Sequence, residues 1–433
     1  MPNIYIETLG CKTNQYESSY IIDNFIENGY NVTDDIKTAD IIVINTCSVT
    51  NRTDYKSRYL INKAREIKEK NPSIKVAITG CYSQKNKNEL LKSGFIDLIA
   101  DNNSKHKIYE YLHQPEAKIV DFEFLEAEYF TDFPDMEIMQ IPNRNRATIK
   151  IQDGCDFDCT YCIVPSVRGN PRNRSYQKIE SQLQILLENG YQEIILAGIN
   201  LGLFPDLPNL LYKLADFQRL QSIRLSSIEP NLFSEQLLQA IKKIDKICPH
   251  FHIPLQSGSD TILKKHKRRY SIATFTSLIK TLHEITLYPA IGFDIIVGLP
   301  GESDELFEET FSLLKNLDFT YLHVFIYSKR KGTPASLMDS QIHGSIAKER
   351  SRKLLDLSNH KKKEYIIKLI SYQVELLTII EGFDQKTKLY YGTSNRYIKC
   401  YFREFSAASY SHKSIFLYPK KLYSDGVLCE IRK

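Results

Sequence analysis

Three short β-branched runs near the start of the chain each end in a cysteine. Residues 3–8 (Asn-Ile-Tyr-Ile-Glu-Thr) lead to Gly10-Cys11, residues 40–46 (Asp-Ile-Ile-Val-Ile-Asn-Thr) to Cys47, and residues 74–79 (Ile-Lys-Val-Ala-Ile-Thr) to Gly80-Cys81. A stretch that reads as helix follows each: 16–28, 52–70 and 85–93. Such alternation predicts a parallel sheet with right-handed crossovers, whose strands end on one shared edge where ligands bind. Cys11, Cys47 and Cys81 therefore converge by topology, although 36 and 34 residues separate them.

Residues 101–145 lack clean periodicity, and the part from Glu116 to Glu137 is acidic and aromatic, with Phe122, Phe124, Tyr129, Phe130 and Phe133. This reads as a connector, followed by basic Arg144 and Arg146. Alternation then resumes. Strands are predicted at 147–152, 192–197, 221–226, 249–255, 289–297 and 320–327, and helices at 175–189, 206–217, 234–243, 271–286 and 303–316. Six strands in that order suit a partial (βα)6 barrel; a full eight-unit barrel usually needs more chain. Residues 342–370 read as a basic helix. Five short alternating runs follow, at 373–380, 388–392, 397–403, 414–418 and 427–431, as in a small β-barrel of the OB kind. The whole is an α/β chain with a Rossmann-like parallel-sheet domain at 1–115, a connector at 116–140, a barrel domain at 141–368 and a small β-barrel at 371–433.

A length of 433 residues fits two or three domains, and 42% hydrophobic with 11% aromatic residues fits a soluble globular protein. Neither a secretory signal nor a run long enough to span a membrane is visible, so the reducing cytoplasm is the expected compartment. Nine cysteines in such a chain do not make a disulfide scaffold. Cys248, Cys400 and Cys429 read as small buried hydrophobes or inert thiols. The net charge of +5 becomes informative through its location: residues 371–433 hold seven Lys and three Arg against two Asp and four Glu, a net of +4, with twelve Tyr and Phe interleaved. Cations attract phosphates and exposed aromatics stack on unpaired bases, which points this module toward RNA.

The sharpest chemistry lies at Gly154–Ile163. Cys155, Cys159 and Cys162 stand at C-x3-C-x2-C spacing in a polar loop after the strand predicted at 147–152. A four-coordinate structural zinc would lack a ligand here, whereas a cubane held by three thiolates keeps one iron open for a substrate. The spacing resembles the radical S-adenosylmethionine (SAM) superfamily. That resemblance implies that SAM chelates the open iron and is split to methionine and a 5′-deoxyadenosyl radical.

The resemblance extends further. Thr8–Ser18, Asn45–Thr50 and Thr79–Cys81 resemble the N-terminal domain of the methylthiotransferase family. So do Gly154–Pro165 with Arg168-Gly169, Arg224–Pro230, Pro249–Gly258, Asp294–Glu302 and Tyr327–Ala335 in the central domain. Asn45–Thr50 with Lys56-Ser57-Arg58, Ser226–Pro230 and Arg330–Ala335 are similar to the bacterial MtaB branch. Membership implies a second 4Fe–4S cluster on Cys11, Cys47 and Cys81, carrying the sulfur to be inserted, beside the radical SAM cluster on Cys155, Cys159 and Cys162. It implies a terminal TRAM module and a tRNA anticodon-loop substrate. The branch adds a methylthio group at carbon 2 of threonylcarbamoyladenosine, at tRNA position 37 beside the anticodon. One SAM methylates the sulfur and a second supplies the radical, so an electron donor such as flavodoxin or ferredoxin, and a sulfur donor, are implied as partners.

Strand-end segments that could hold SAM contribute Gly198, Asn200, Glu229, Gln256 and Asp294. Ser166, where an aromatic is common, and His266, in place of an apolar residue, depart from the family pattern. Three rivals stand beside this reading: the same chemistry on isopentenyladenosine in tRNA, the same chemistry on an aspartate of a ribosomal protein, and a non-catalytic iron–sulfur protein that binds RNA or transfers electrons.

Overall fold

A computed structural model describes residues 1–114, 124–141, 145–403 and 412–432. The first part of the connector, with Phe122, and the basic Arg144 lie outside the described residues. The chain forms two compact units. One comprises Met1–Pro142, Lys150–Gln182 and Ser328–Ser336; the other comprises Asn143–Ile149, Leu183–Tyr327 and Leu337–Lys433.

The first unit is built on a sheet of β1 (Asn3–Thr8), β2 (Asn31–Val32), β3 (Ile41–Thr46), β4 (Lys75–Gly80) and β5 (Leu98–Ile99), in the order β2-β1-β3-β4-β5. All four pairings are parallel, and every residue of β3 is buried, as expected of a sheet covered on both faces. Side chains alternate between faces. Ile42, Ile44, Val76 and Ile78 pack with Ile61 and Ala64 of helix α2 (Asn51–Lys70). Ile4, Val43 and Ala77 pack on the other side with Ile21 and Phe25 of helix α1 (Lys12–Glu27).

Helices α1 and α3 (Cys81–Leu91) both begin four residues earlier than their sequence pattern suggests. The chain turns so sharply out of β1 and β4 that Cys11 is the N-cap of α1 and Cys81 the first residue of α3. Gly80 makes the second turn possible: its φ is +100°, and a Cβ there would lie 2.2 Å from the Thr46 carbonyl oxygen. The strand expected at 147–152 is likewise divided. It breaks at Ile151, whose carbonyl accepts from Arg174 N–H at 2.9 Å, into β6 (Ala147–Lys150) and β7 (Gln152–Asp153). β7 pairs antiparallel with β8 (Arg172–Asn173).

The second unit carries the other barrel strands: β9 (Glu193–Ala197), β10 (Ser222–Leu225), β11 (His250–Gln256), β12 (Ala290–Val297) and β13 (Tyr321–Ile326). They form two three-stranded sheets, β10-β9-β6 and β11-β12-β13. Ile223 joins the two arcs, donating to Lys246 O at 2.7 Å and accepting from Cys248 N at 2.8 Å. Strand order thus follows chain order, as in a partial (βα)6 barrel. Three of its helices, Glu235–Lys243, Ile272–Ile285 and Asp304–Asn316, open on Ser234, Ser271 and Ser303, each accepting a first-turn N–H.

After the 28-residue helix Gly344–Ser371, β14 (Leu376–Asp384), β15 (Leu389–Ser394), β16 (Lys399–Phe402), β17 (Ser414–Tyr423) and β18 (Gly426–Ile431) close a barrel in the order β14-β15-β16-β18-β17. Leu376, Ile380, Ile398, Phe402, Leu417 and Val427 fill it, with Tyr365, Ile366 and Leu369 of the long helix against one end. Cys400 and Cys429 belong to this core, and Cys248 is also buried and free. Arg224 of β10, fully buried, pairs with Glu193 at 3.1 Å and donates to the Ser394 carbonyl at 2.9 Å, fixing the small barrel to the larger one.

Candidate functional site

All six cysteines of the two predicted trios lie in the first unit. Cys11, Cys47 and Cys81 follow β1, β3 and β4, three neighbouring strands, at the C-terminal edge of the sheet. Asn14 ties two of their loops together, donating to Leu9 O at 2.8 Å and Thr46 O at 3.0 Å. Gly10 lets the first loop approach the second: its φ is +97°, and a Cβ would fall 2.6 Å from Cys47 Sγ. Cys11 is exposed, while Cys47 and Cys81 are buried. Burial pushes the Cys47 thiol up to about 12, with the neighbouring Cys81 sulfur adding to it. Cys81 is also raised by burial, and Arg168 and Lys105 oppose the shift.

Cys155, Cys159 and Cys162 occupy the loop after β7. Phe157 N–H points at Cys155 Sγ and Val164 N–H at Cys162 Sγ, each at 3.4 Å. Backbone donors of this kind suit thiolates that hold an iron–sulfur cluster. Helix α5, here Val164–Arg168 (α4 being Ile108–Leu112), leaves this loop and reaches the other trio. Its Val167 packs with Ile163 and Cys81, and Asn102 donates to Val167 O at 2.6 Å with its amide 4.0 Å from Cys81 Sγ.

Among the described residues, the cysteines form no disulfide, and neither trio brings three sulfurs within 4.8 Å of one another.

Beneath the trios lies a buried charge network that no sequence period announces. Glu17 of α1, wholly buried, pairs with Lys105, with Lys150 at 2.8 Å and with Arg168 at 2.8 Å. Asp153 takes Lys150 at 2.6 Å, Arg168 at 3.0 Å and Arg172 at 3.5 Å. Arg168 also donates to Asn14 Oδ1. Arg168, Lys105 and Lys150 hold the Glu17 carboxyl well below the usual carboxylate range despite its burial. Four cations thus face two carboxylates, and the surplus positive charge suits anionic cluster ligands next to Cys81. Arg330 supplies a further link: it pairs with Asp54 at the start of α2, and Ala335 N donates to Thr160 O in the cysteine loop at 2.9 Å.

The five predicted SAM residues lie in the second unit. Gly198 and Asn200 follow β9, with Asn200 buried. Glu229, after β10, pairs with Arg268, and burial raises its pKa. Gln256 ends β11 with φ of +63°, a strained conformation of the kind that collects at ligand sites. Asp294 lies midway along β12, with Nε2 of His252 at 2.9 Å and Nδ1 of His323 at 3.3 Å from its Oδ1. Sequence reasoning named neither histidine as a site residue. Ser166 is part of α5, and His266 is buried with its ring 3.1 Å from Pro300 O.

Residues 149–314 match the radical SAM superfamily model, and residues 3–101 match the model described as uncharacterized protein family UPF0004. Fold comparison agrees with the first: the radical SAM methyltransferase TsrM from Kitasatospora setae has a TM-score of 0.58 over 78% of this chain and 77% of that one, at 14% identity. The barrel and its cysteine loop therefore define a radical SAM protein. Threonylcarbamoyladenosine tRNA methylthiotransferase MtaB of Bacillus subtilis (strain 168) is 35% identical over 93% of this chain and 91% of its own. MtaB of Aquifex aeolicus (strain VF5) is 35% identical over 88% and 93%. The tRNA-2-methylthio-N(6)-dimethylallyladenosine synthase of Methylacidiphilum infernorum (isolate V4) is 34% identical over 89% and 85%. This chain belongs to the radical SAM methylthiotransferase family. SAM and iron–sulfur chemistry come with that membership. No helix among the described residues is long and apolar enough to cross a membrane.

Proposed function

We propose that this chain inserts a methylthio group at carbon 2 of threonylcarbamoyladenosine in tRNA, next to the anticodon. The observation that carries this is the pair of cysteine trios, in a chain 35% identical over nearly its whole length to enzymes named for that reaction. Cys155, Cys159 and Cys162 hold one 4Fe–4S cluster, and Cys11, Cys47 and Cys81 hold a second. When bound, the clusters and SAM supply the radical and the sulfur that no protein side chain can provide.

The chain's own residues position and shield. The Phe157 and Val164 N–H groups orient two thiolates of the first trio. Arg168, Lys105 and Lys150 offset negative charge beside Cys81. Gly198, Asn200, Glu229, Gln256 and Asp294 line the SAM cradle. The small C-terminal barrel, with net charge +4 over 371–433 and exposed Tyr397 and Phe416, grips the anticodon stem-loop. Flavodoxin or ferredoxin delivers electrons, a separate donor renews the sulfur, and the enzyme works in the cytoplasm.

Mass spectrometry of tRNA nucleosides from a deletion strain tests the assignment. Loss of 2-methylthio-threonylcarbamoyladenosine is expected. Loss of the isopentenyl analogue, or an unchanged tRNA pool with an unmodified ribosomal protein, would replace it.

A further inference from the structure

Two histidines of the second unit stand beside Asp294 and outside the machinery described above. His252 on β11, Asp294 on β12 and His323 on β13 lie on three adjacent strands. Asp294 and His323 are direct register partners. One ligand atom from each of the three lies within 4.8 Å of the other two. Asp294 Oδ1 is buried, with Nε2 of His252 2.9 Å away and Nδ1 of His323 3.3 Å away.

Those separations have a second meaning. Ligand atoms about 2.1 Å from one ion are about 3.0 Å apart in cis-octahedral and about 3.4 Å apart in tetrahedral geometry. The two separations, 2.9 and 3.3 Å, are in the range that one shared ion allows. Nδ1 of His252 is 3.2 Å from the Tyr321 hydroxyl, which is in turn 2.8 Å from Nε2 of His250. When the Tyr321 hydroxyl donates to Nε2 of His250 it accepts from Nδ1–H of His252, which leaves Nε2 of His252 as a lone-pair donor, the outer-shell contact that metal-binding histidines characteristically have. The Tyr321 ring fits there because residue 292 is glycine: a Cβ would meet it at 2.1 Å. His323 is about half exposed, so the group opens to a ligand.

We propose that His252, Asp294 and His323 bind one divalent metal ion, Zn²⁺ in preference to iron, in addition to the iron–sulfur clusters. Two imidazoles and a carboxylate on one face leave the remaining positions open to an oxygen or nitrogen donor. Asp294 is one-fifth exposed although Oδ1 is buried.

The test is metal analysis of anaerobically reconstituted protein, dialysed against Zn²⁺ so that iron already occupies the thiolates. Wild type is expected to retain about one equivalent of Zn²⁺ that His323→Ala and His252→Gln both lack, with iron content and circular dichroism unchanged. Equal zinc in wild type and both variants would overturn the site. If one variant misfolds, the other decides. Because zinc content is read directly, this result is separate from whether the tRNA product forms.

Discussion

Replacing Glu17 by Gln removes one of two carboxylates from a pocket that holds Lys105, Lys150, Arg168 and Arg172. At an effective dielectric of about 20, a unit-charge contact at 2.8 Å is worth about 6 kcal/mol before desolvation is subtracted. Most of that offsets the burial of the ions, and breaking such a pair from one side costs about 3–5 kcal/mol, because the partners stay buried without compensation. For a cooperative unit of about 150–250 residues, this corresponds to a midpoint about 6–20 °C lower. The assay is thermal unfolding of apo protein, with the first unit followed separately by limited proteolysis. Adding Lys105→Met should recover part of the loss, since it restores the charge balance. A Glu17→Gln variant within about 1 kcal/mol of wild type, or a double variant whose loss equals the sum of the singles, would refute the idea that this network holds the two cysteine loops together.

The remaining expectations follow from the same geometry. Gly10→Ala places a methyl against Cys47 Sγ and forces a positive φ, so reconstituted protein should carry about half the iron of wild type, lost from the Cys11, Cys47 and Cys81 trio; full iron content would contradict this. Glu17 has a depressed folded pKa, so its contribution is fully present above the unfolded value of about 4.3 and is lost as pH falls toward the folded value. Apo wild type should therefore destabilise more steeply below about pH 4.3 than Glu17→Gln; parallel curves would contradict it. Arg224→Met leaves Glu193 buried beside a lost cation and removes the donor to Ser394 O, so the second unit should lose about 3–5 kcal/mol and the C-terminal barrel should become protease-sensitive.

The parts of this architecture that repeat were legible in the chain. β-Branched runs ending in cysteine gave the parallel sheet and the shared edge where Cys11, Cys47 and Cys81 meet. Alternation gave the six barrel strands and the five of the terminal barrel, because period and turn residues are local signals. What escaped was long-range. Glu17 and Arg168 are 151 positions apart and join through burial, which no window of sequence registers. His252 and His323 sat in plain view within predicted strands, and only the parallel register brings them to Asp294. The break at Ile151 was hidden because an apolar, β-branched residue continues the strand pattern while its carbonyl turns to Arg174.

The most direct measurement compares two variants reconstituted anaerobically with SAM, reductant and tRNA. In Cys47→Ala, 5′-deoxyadenosine should still form while methylthio nucleoside is absent. In Cys159→Ala, neither should form. Methylthio product from the Cys47 variant would contradict the account, because sulfur would then reach the base without the trio at the edge of the first sheet.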